Sequence, residues 1–196
     1  YTVEDLLKSV IIASANDSSV ALAELIAGNE FNFVALMNKR AEELGLINTL
    51  YANSTGLPAL NQYSTAKDVG LLLREVGKHD LYKKYSTIWM DKLVHPSGRE
   101  TELVNTNRLV KYFPDCDCGK TGFTDEAGYC LSASAKRNNM RLIAVAMGCQ
   151  NANDRFTITS NLLNFGFANY ALKTLYSCND KIEYTNKVKG IKEKIY

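Results

Sequence analysis

The chain has 196 residues, 46 % of them hydrophobic, which is enough for one sizeable core and a small additional unit. Its 23 basic and 21 acidic residues leave a formal net charge of +2, so the composition gives no reason to expect a nucleic-acid partner. The five cysteines are odd in number and irregularly spaced, which excludes a complete disulfide framework. With both histidines far away in sequence, Cys116-x-Cys118 predicts no metal site, and no cofactor is expected.

The first part of the chain has the periodicity of helices. We predict helices over residues 2–11, 20–26, 30–44 and 65–76. Thr2 and Asp5 form a variant of the capping box at the first helix start, and Gly28 marks the end of the second helix. Asn16 or Asp17 is predicted to cap the second helix, so the junction between the two helices should be short and rigid. The loop over 48–63 is rich in Asn, Ser, Gly and Pro.

The second part of the chain changes to the periodicity of strands. A short hairpin is predicted around Pro96-Ser97-Gly98. The strand that carries Lys120, the apolar strands 128–135 and 141–148, and a helix from Asp154 to about Tyr176 predict an antiparallel sheet flanked by helices. The expected fold class is therefore mixed α/β, of the α+β type. Residues 1–178 should form one domain, and the Lys-rich alternating segment 179–196 should begin a second, β-rich domain that is cut off early.

Two short motifs carry chemistry: Ser14-Ala15-Asn16 at the first helix junction and Lys120-Thr121-Gly122 at the start of a strand. Together they suit acyl transfer from a peptide that ends in a free carboxylate. Lys120 would hold the Ser14 hydroxyl and attract the carboxylate, and Ser14 would pass a proton to the leaving amine. Asn16 would offer its amide to the peptide group of the substrate.

The strand itself supplies the remaining contacts. The Thr121 hydroxyl would hydrogen-bond the carboxylate, Gly122 would let the substrate backbone lie against the strand edge, and the backbone N–H of Phe123 would donate to an oxyanion. Each motif alone is common, as a helix cap or as a strand with a glycine. In this order, on these elements, they favour an active site. Ser64-Thr65-Ala66-Lys67 is the only Ser-x-x-Lys motif, but it follows Ser14 and is interpreted as a helix cap.

Residues 1–176 resemble the D-alanyl-D-alanine carboxypeptidases of the low-molecular-mass penicillin-binding type, in the serine β-lactamase/D,D-peptidase superfamily. Besides the two motifs, the matching stretches are 1–7, 20–24, 53–58, 63–68, 105–107 and 123–128. The resemblance implies a transpeptidase-like fold and a cell-envelope, extracytoplasmic enzyme whose parent protein is membrane-associated. It would remove the terminal D-alanine of peptidoglycan stem peptides through a serine acyl-enzyme and bind β-lactam antibiotics. It also implies that Arg155 backs the Lys-Thr-Gly strand and contributes to substrate binding.

The same resemblance places the nucleophilic Ser-x-x-Lys before Ser14, where only thirteen residues stand. We therefore expect an N-terminally truncated catalytic domain that is inactive alone and either needs the missing segment or self-associates through strand 141–148. Two alternatives stay open. The chain could be a non-catalytic module that recognises D-Ala-D-Ala ends or cell wall. It could also be a class A β-lactamase-like enzyme, although the loop 48–63 contains no glutamate for deacylation.

Overall fold

The structure is a computed structural model that describes residues 1–176, 184–188 and 191–195. Its elements are, in chain order, α1 Val3–Ala13, α2 Asn16–Ala27, α3 Glu30–Glu43, α4 Ala66–Val76, α5 Asp80–Ser86, β1 Met90–Val94, β2 Glu100–Val104, α6 Leu109–Tyr112, β3 Cys116–Thr124, β4 Gly128–Arg137, β5 Met140–Cys149, α7 Ala152–Asn169, β6 Tyr184–Val188 and β7 Ile191–Ile195. All strand pairs are antiparallel: β1 with β2, β3 with β4 and β4 with β5, and β6 with β7. The predicted α+β class is confirmed.

A side-chain cap marks the start of α1 but not the start of α2. Thr2 and Asp5 form the expected capping box, with the Thr2 N–H donating to Asp5 Oδ2 at 2.9 Å and the Asp5 N–H donating to Thr2 Oγ1 at 3.1 Å. The predicted cap of α2 is wrong. Ala15 occupies the cap position without a side-chain hydrogen bond, because Ser14 closes α1 and leaves Asn16 and Asp17 already within the first turn of α2.

The central sheet has the order β3-β4-β5, so β5 lies at one edge of the sheet within the described residues. Asn138 and Asn139, both at positive φ (47° and 64°), form the two-residue turn between β4 and β5, as the type I′ geometry requires. One face of the sheet packs its core against α6 and α7. The buried residues of this core are Leu109, Phe113, Leu131, Ala133, Ala135, Ala144 and Leu163. The helix α4 packs on β4 and β5.

The helix α7 is shorter than predicted. It ends at Asn169 instead of continuing to about Tyr176, and residues 170–176 are exposed and non-helical. Gly166 lies in close contact with the sheet, since a Cβ there would lie 2.5 Å from Leu142 Cδ1, and the partly buried Phe167 packs against the same core. Beyond Phe167 the chain has exposed residues and little to pack against, and a helix without tertiary packing is marginal in water.

The C-terminal strands β6 and β7 pair antiparallel with each other, and the second domain that they were expected to begin stays a prediction. The predicted boundary between residues 178 and 179 lies outside the described residues. In the part of the chain that the structure describes, no single helix has the length and hydropathy of a membrane span. The helices α2 and α3 reach that length only as a pair, and they are bent by 85° relative to each other.

Candidate active site

The end of α1 and the middle of β3 bring the two motifs together. Ser14 is the C-cap of α1 in the left-handed conformation (φ 61°, ψ 41°), and its N–H donates to Val10 O at 3.1 Å. Lys120 extends from β3 and its Nζ donates to Ser14 Oγ at 2.7 Å. The expected contact between the Lys120 amine and the Ser14 hydroxyl is therefore confirmed. Asn16 lies exposed at the start of α2, beside the same junction, and no side-chain hydrogen bond links it to the described residues.

The environment of Lys120 makes its ammonium group easy to deprotonate. Burial, and then the positive charge of Arg155, lower the pKa of Lys120 to about 8. Besides Ser14, Nζ donates to the backbone oxygen of Thr121 at 3.0 Å. A lysine with such a pKa can carry the charge that the sequence interpretation assigns to Lys120, and it can also exchange a proton near neutral pH.

The Thr121 side chain is hydrogen-bonded to Thr106, a residue that the sequence interpretation did not assign to the site. Its Oγ1 donates to Thr106 Oγ1 at 2.7 Å. The Thr106 N–H donates to Ile12 O at 3.2 Å, so the same loop contacts the last turn of α1. Thr106 lies in the stretch 105–107, which the resemblance had marked as matching without any role. That match was the only signal for it, because a hydroxyl–hydroxyl contact between a loop and a distant strand leaves no local sequence pattern.

The glycines of β3 differ in their surroundings. A Cβ at Gly119 would lie 2.7 Å from both Asn107 Nδ2 and Ser132 O, so only glycine fits there. A Cβ at Gly122 would meet Cys130 Cβ at an ordinary 3.9 Å, and Gly122 is exposed. The protein interior therefore does not require glycine at 122.

Arg155 of α7 backs the strand from behind. Its Nη1 donates to Gly122 O at 3.1 Å, and its guanidinium lies 5.4 Å from the ring centroid of Tyr129 and 4.9 Å from that of Phe156. Burial is the main cause that lowers the pKa of Arg155. Phe123, 52 % exposed, stacks on Tyr129 with 4.3 Å between ring centroids. The structure thus groups Arg155 and Phe123 around the Lys-Thr-Gly motif.

The motif Ser64-Thr65-Ala66-Lys67 has a structural role. Thr65 caps α4 by accepting the Asp68 N–H at 3.2 Å, and Ser64 Oγ is hydrogen-bonded to Thr49 Oγ1 at 2.9 Å. Asp68 is buried and also accepts the Asn48 N–H at 2.8 Å. These contacts confirm the helix-cap interpretation of this segment.

A largely apolar cavity of about 320 Å³ lies beneath Lys120, between α4 and the sheet. Its walls include Val69, Leu73, Val76, Tyr82, Val145 and Met147. The Tyr82 hydroxyl donates to Gly119 O at 3.2 Å, and burial raises the pKa of Tyr82. Four of the cysteines, including Cys130 in the cavity wall, are free thiols, and Cys178 lies outside the described residues. Among the described residues no three His, Cys, Asp or Glu side chains group as a metal site.

The sequence profile described as D-alanyl-D-alanine carboxypeptidase, Peptidase_S11, matches residues 1–151, which include both motifs. The chain belongs to this family. D-alanyl-D-alanine carboxypeptidase DacF of Bacillus subtilis is 44 % identical over 189 residues, which are 96 % of this chain and 49 % of the relative. DacC of Escherichia coli, of the same family, is 40 % identical over 167 residues, 85 % of this chain and 41 % of the relative. The chain spans about half the length of the curated relatives that it matches.

Solved structures of D-alanyl-D-alanine carboxypeptidases and related enzymes share the fold. The carboxypeptidase DacD from Francisella tularensis superposes with a TM-score of 0.83 at 28 % identity, covering 95 % of this chain and 56 % of that one. The DD-transpeptidase of Streptomyces K15 superposes with a TM-score of 0.80 at 26 % identity, covering 85 % of this chain and 68 % of that one. The predicted transpeptidase-like fold is therefore confirmed.

Proposed function

We propose that this chain supplies the proton-transfer and carboxylate-binding part of a serine-type D-Ala-D-Ala carboxypeptidase. The observation that carries the proposal is the 2.7 Å hydrogen bond from Lys120 Nζ to Ser14 Oγ, next to Thr121 on the same strand. Membership of the D-alanyl-D-alanine carboxypeptidase family supports the reaction class. The nucleophilic serine is proposed to come from a separate Ser-x-x-Lys segment, because the Ser64 hydroxyl is hydrogen-bonded to Thr49 and its neighbour Thr65 caps α4.

The proposed reaction uses the geometry in two stages. The serine of the separate segment gives its proton to the lysine of the same Ser-x-x-Lys motif and attacks the carbonyl carbon of the penultimate D-alanine. The backbone N–H of Phe123 donates to the oxyanion that forms. The C–N bond to the terminal D-alanine then breaks, and the Ser14 hydroxyl gives its proton to the leaving amine while Lys120 replaces that proton. Water completes the reaction by hydrolysing the acyl-enzyme.

The substrate contacts follow from the same strand. Thr121 and the charge of Lys120 bind the terminal carboxylate, and Arg155 holds Gly122 so that the substrate backbone can lie along β3. Asn16 contacts the peptide group of the substrate. Peptidoglycan stem peptides and β-lactam antibiotics are the proposed ligands, and the cell envelope is the proposed location, with a membrane-associated parent protein.

The test uses the protein expressed from the complete open reading frame that encodes this chain. An acylated tripeptide ending in D-Ala-D-Ala is incubated with wild type, with Lys120→Ala and with Lys136→Ala, whose lysine is exposed at the far end of β4. We expect D-alanine release by wild type and by Lys136→Ala, and a loss of roughly 10²-fold or more in kcat/KM for Lys120→Ala.

Three outcomes would contradict this proposal. Binding of the tripeptide without D-alanine release would favour the non-catalytic recognition module. Rapid turnover of a penicillin together with slow peptide hydrolysis would favour the β-lactamase-like alternative. An undiminished rate in Lys120→Ala would show that the Ser14–Lys120 contact is not part of the chemistry.

A further inference from the structure

The hydroxyl groups of Thr121 and Thr106 form a hydrogen-bonded pair with 2.7 Å between their oxygens. Each hydroxyl has one proton to donate and two lone pairs that can accept. As the pair is arranged, Thr121 donates to Thr106. A carboxylate only accepts hydrogen bonds, so Thr121 cannot bind one while its proton is directed at Thr106.

We propose that Thr106 is the positioning residue that makes Thr121 a donor to the carboxylate of the ligand. When the ligand binds, both hydroxyls rotate: Thr106 donates to Thr121 Oγ1, and Thr121 donates to the carboxylate. No covalent bond forms or breaks, and each oxygen keeps its own proton. This inference rests on the proposed function, because it concerns how the same site recognises a free carboxylate.

Thr106 is held well enough to perform this role. Its N–H donates to Ile12 O at 3.2 Å. On its N-terminal side Asn105, only 4 % exposed, donates from Nδ2 to Ile88 O at 2.8 Å. On its C-terminal side the N–H of Asn107, 1 % exposed, donates to Asn105 Oδ1 at 2.9 Å. The backbone of Thr106 is therefore anchored from both sides, which leaves rotation of the hydroxyl as the simplest response to a ligand.

The position also links the two halves of the site. Ile12 belongs to the last turn of α1, which ends at Ser14, and Thr121 follows Lys120 on β3. The Thr106 backbone thus contacts the helix that places Ser14, while its side chain contacts the strand that places Lys120. A residue with this placement can fix the carboxylate relative to the proton-transfer pair.

The experiment compares Thr106→Val, Thr106→Ser, Thr121→Val and the Thr106→Val/Thr121→Val double variant in the protein from the complete open reading frame. Valine keeps the shape of threonine without its hydroxyl, and serine keeps the hydroxyl. The measurements are the Kd of a peptide ending in D-Ala-D-Ala and of its carboxamide analogue, and kcat and KM for D-alanine release. Thr157→Val, at an exposed position of α7, is the matched control.

We expect Thr106→Val to raise Kd and KM for the carboxylate peptide roughly tenfold, with kcat changed by about twofold or less. Thr106→Ser and Thr157→Val should stay within about twofold of wild type, and the carboxamide affinity should not change. Because Thr106 acts through Thr121, adding Thr106→Val to Thr121→Val should cause no further loss beyond about twofold.

The proposal is overturned if Thr106→Val binds the carboxylate peptide like wild type, if Thr106→Ser is as impaired as Thr106→Val, or if the effects of the two valine substitutions multiply. The Kd comparison separates this inference from the proposed function. A wild type that prefers the carboxylate to the carboxamide but releases no D-alanine contradicts the enzyme function and leaves the Thr106 test intact. A wild type that binds both peptides equally contradicts the Thr106 proposal as well.

Discussion

Lys120 is expected to lose its proton near pH 8, and binding of a carboxylate-ended ligand should weaken with it. Burial is the larger cause that lowers the pKa of Lys120 from 10.5 to about 8, and the charge of Arg155 adds to it. With that pKa, roughly 90 % of the molecules carry the charge at pH 7 and roughly 10 % at pH 9. The affinity should therefore fall about tenfold between pH 7 and pH 9, whereas a lysine of ordinary pKa would leave it nearly constant.

The direct assay is an NMR titration of protein labelled with ¹³C at lysine Cε, with the Lys120 signal assigned by its absence in Lys120→Met. Calorimetry at pH 7, 8 and 9 measures the affinity of the carboxylate peptide in parallel. The substitution Arg155→Gln should raise the pKa of Lys120, but not to 10.5, because the larger cause, burial, remains. A midpoint above about 10 for Lys120 in wild type, or an affinity that does not change with pH, would refute the reasoning.

The lowered pKa of Lys120 should also make the stability of the protein depend on pH. Because the native state binds the Lys120 proton less tightly than the unfolded state, this group makes the free energy of unfolding rise as the pH increases from about 8 to 10.5. A drop from 10.5 to about 8 corresponds to a penalty of up to roughly 3 kcal/mol at pH 7. Lys120→Met should remove this penalty, but it also removes the hydrogen bonds of Lys120 to Ser14 and Thr121, which offsets part of the gain in stability. Urea unfolding of both proteins at pH 7 and pH 10 would measure the difference in the free energy of unfolding.

Three further predictions concern neighbouring features. Gly119→Ala should destabilise the protein by roughly 1–3 kcal/mol in urea unfolding, because its Cβ would lie 2.7 Å from Ser132 O, whereas Gly122→Ala should lower stability far less. Incubation of the 196-residue chain with a fluorescent penicillin should give no covalent adduct by intact mass, and an adduct on Ser64 would restore that residue as a nucleophile. The same chain should self-associate through the edge of β5, because β5 lacks proline and has apolar residues on both faces. Size-exclusion chromatography with light scattering measures this, and a monomer at all concentrations would contradict it.

Features set by neighbouring residues could be predicted from the sequence. The capping box of Thr2 and the cap at Thr65 depend on side chains three residues away. The composition of residues 136–139 indicates a turn between the two strands, which the structure confines to Asn138-Asn139. The end of α7 depends instead on where the sheet stops offering a surface, and no glycine or proline at 170 marks it. The short helices α5 and α6 were not predicted, because each has too few residues to show a helical period.

The candidate site also combines features that the sequence could predict with features that it could not. The order and spacing of the two motifs sufficed to pair Ser14 with Lys120, because the chemistry demands that pairing. Thr106 could not be assigned, since its contact with Thr121 depends on how the loop after β2 packs against β3. The pKa of Lys120 could not be predicted either, because it depends on burial and on a charge from α7, which lies far along the chain. The catalytic and binding roles of all these residues stay predictions until they are measured.

At position 14 the left-handed backbone conformation favours one residue and the proposed chemistry needs another. Glycine is the residue that ends a helix in this conformation at the least conformational strain, and a side chain with a Cβ is less favourable there. A stabilisation campaign guided by backbone geometry alone would therefore choose glycine at 14 and remove the hydroxyl that Lys120 contacts. Under the proposed function, position 14 is thus a site where stability favours glycine and activity needs serine, and engineering of this domain should keep the serine.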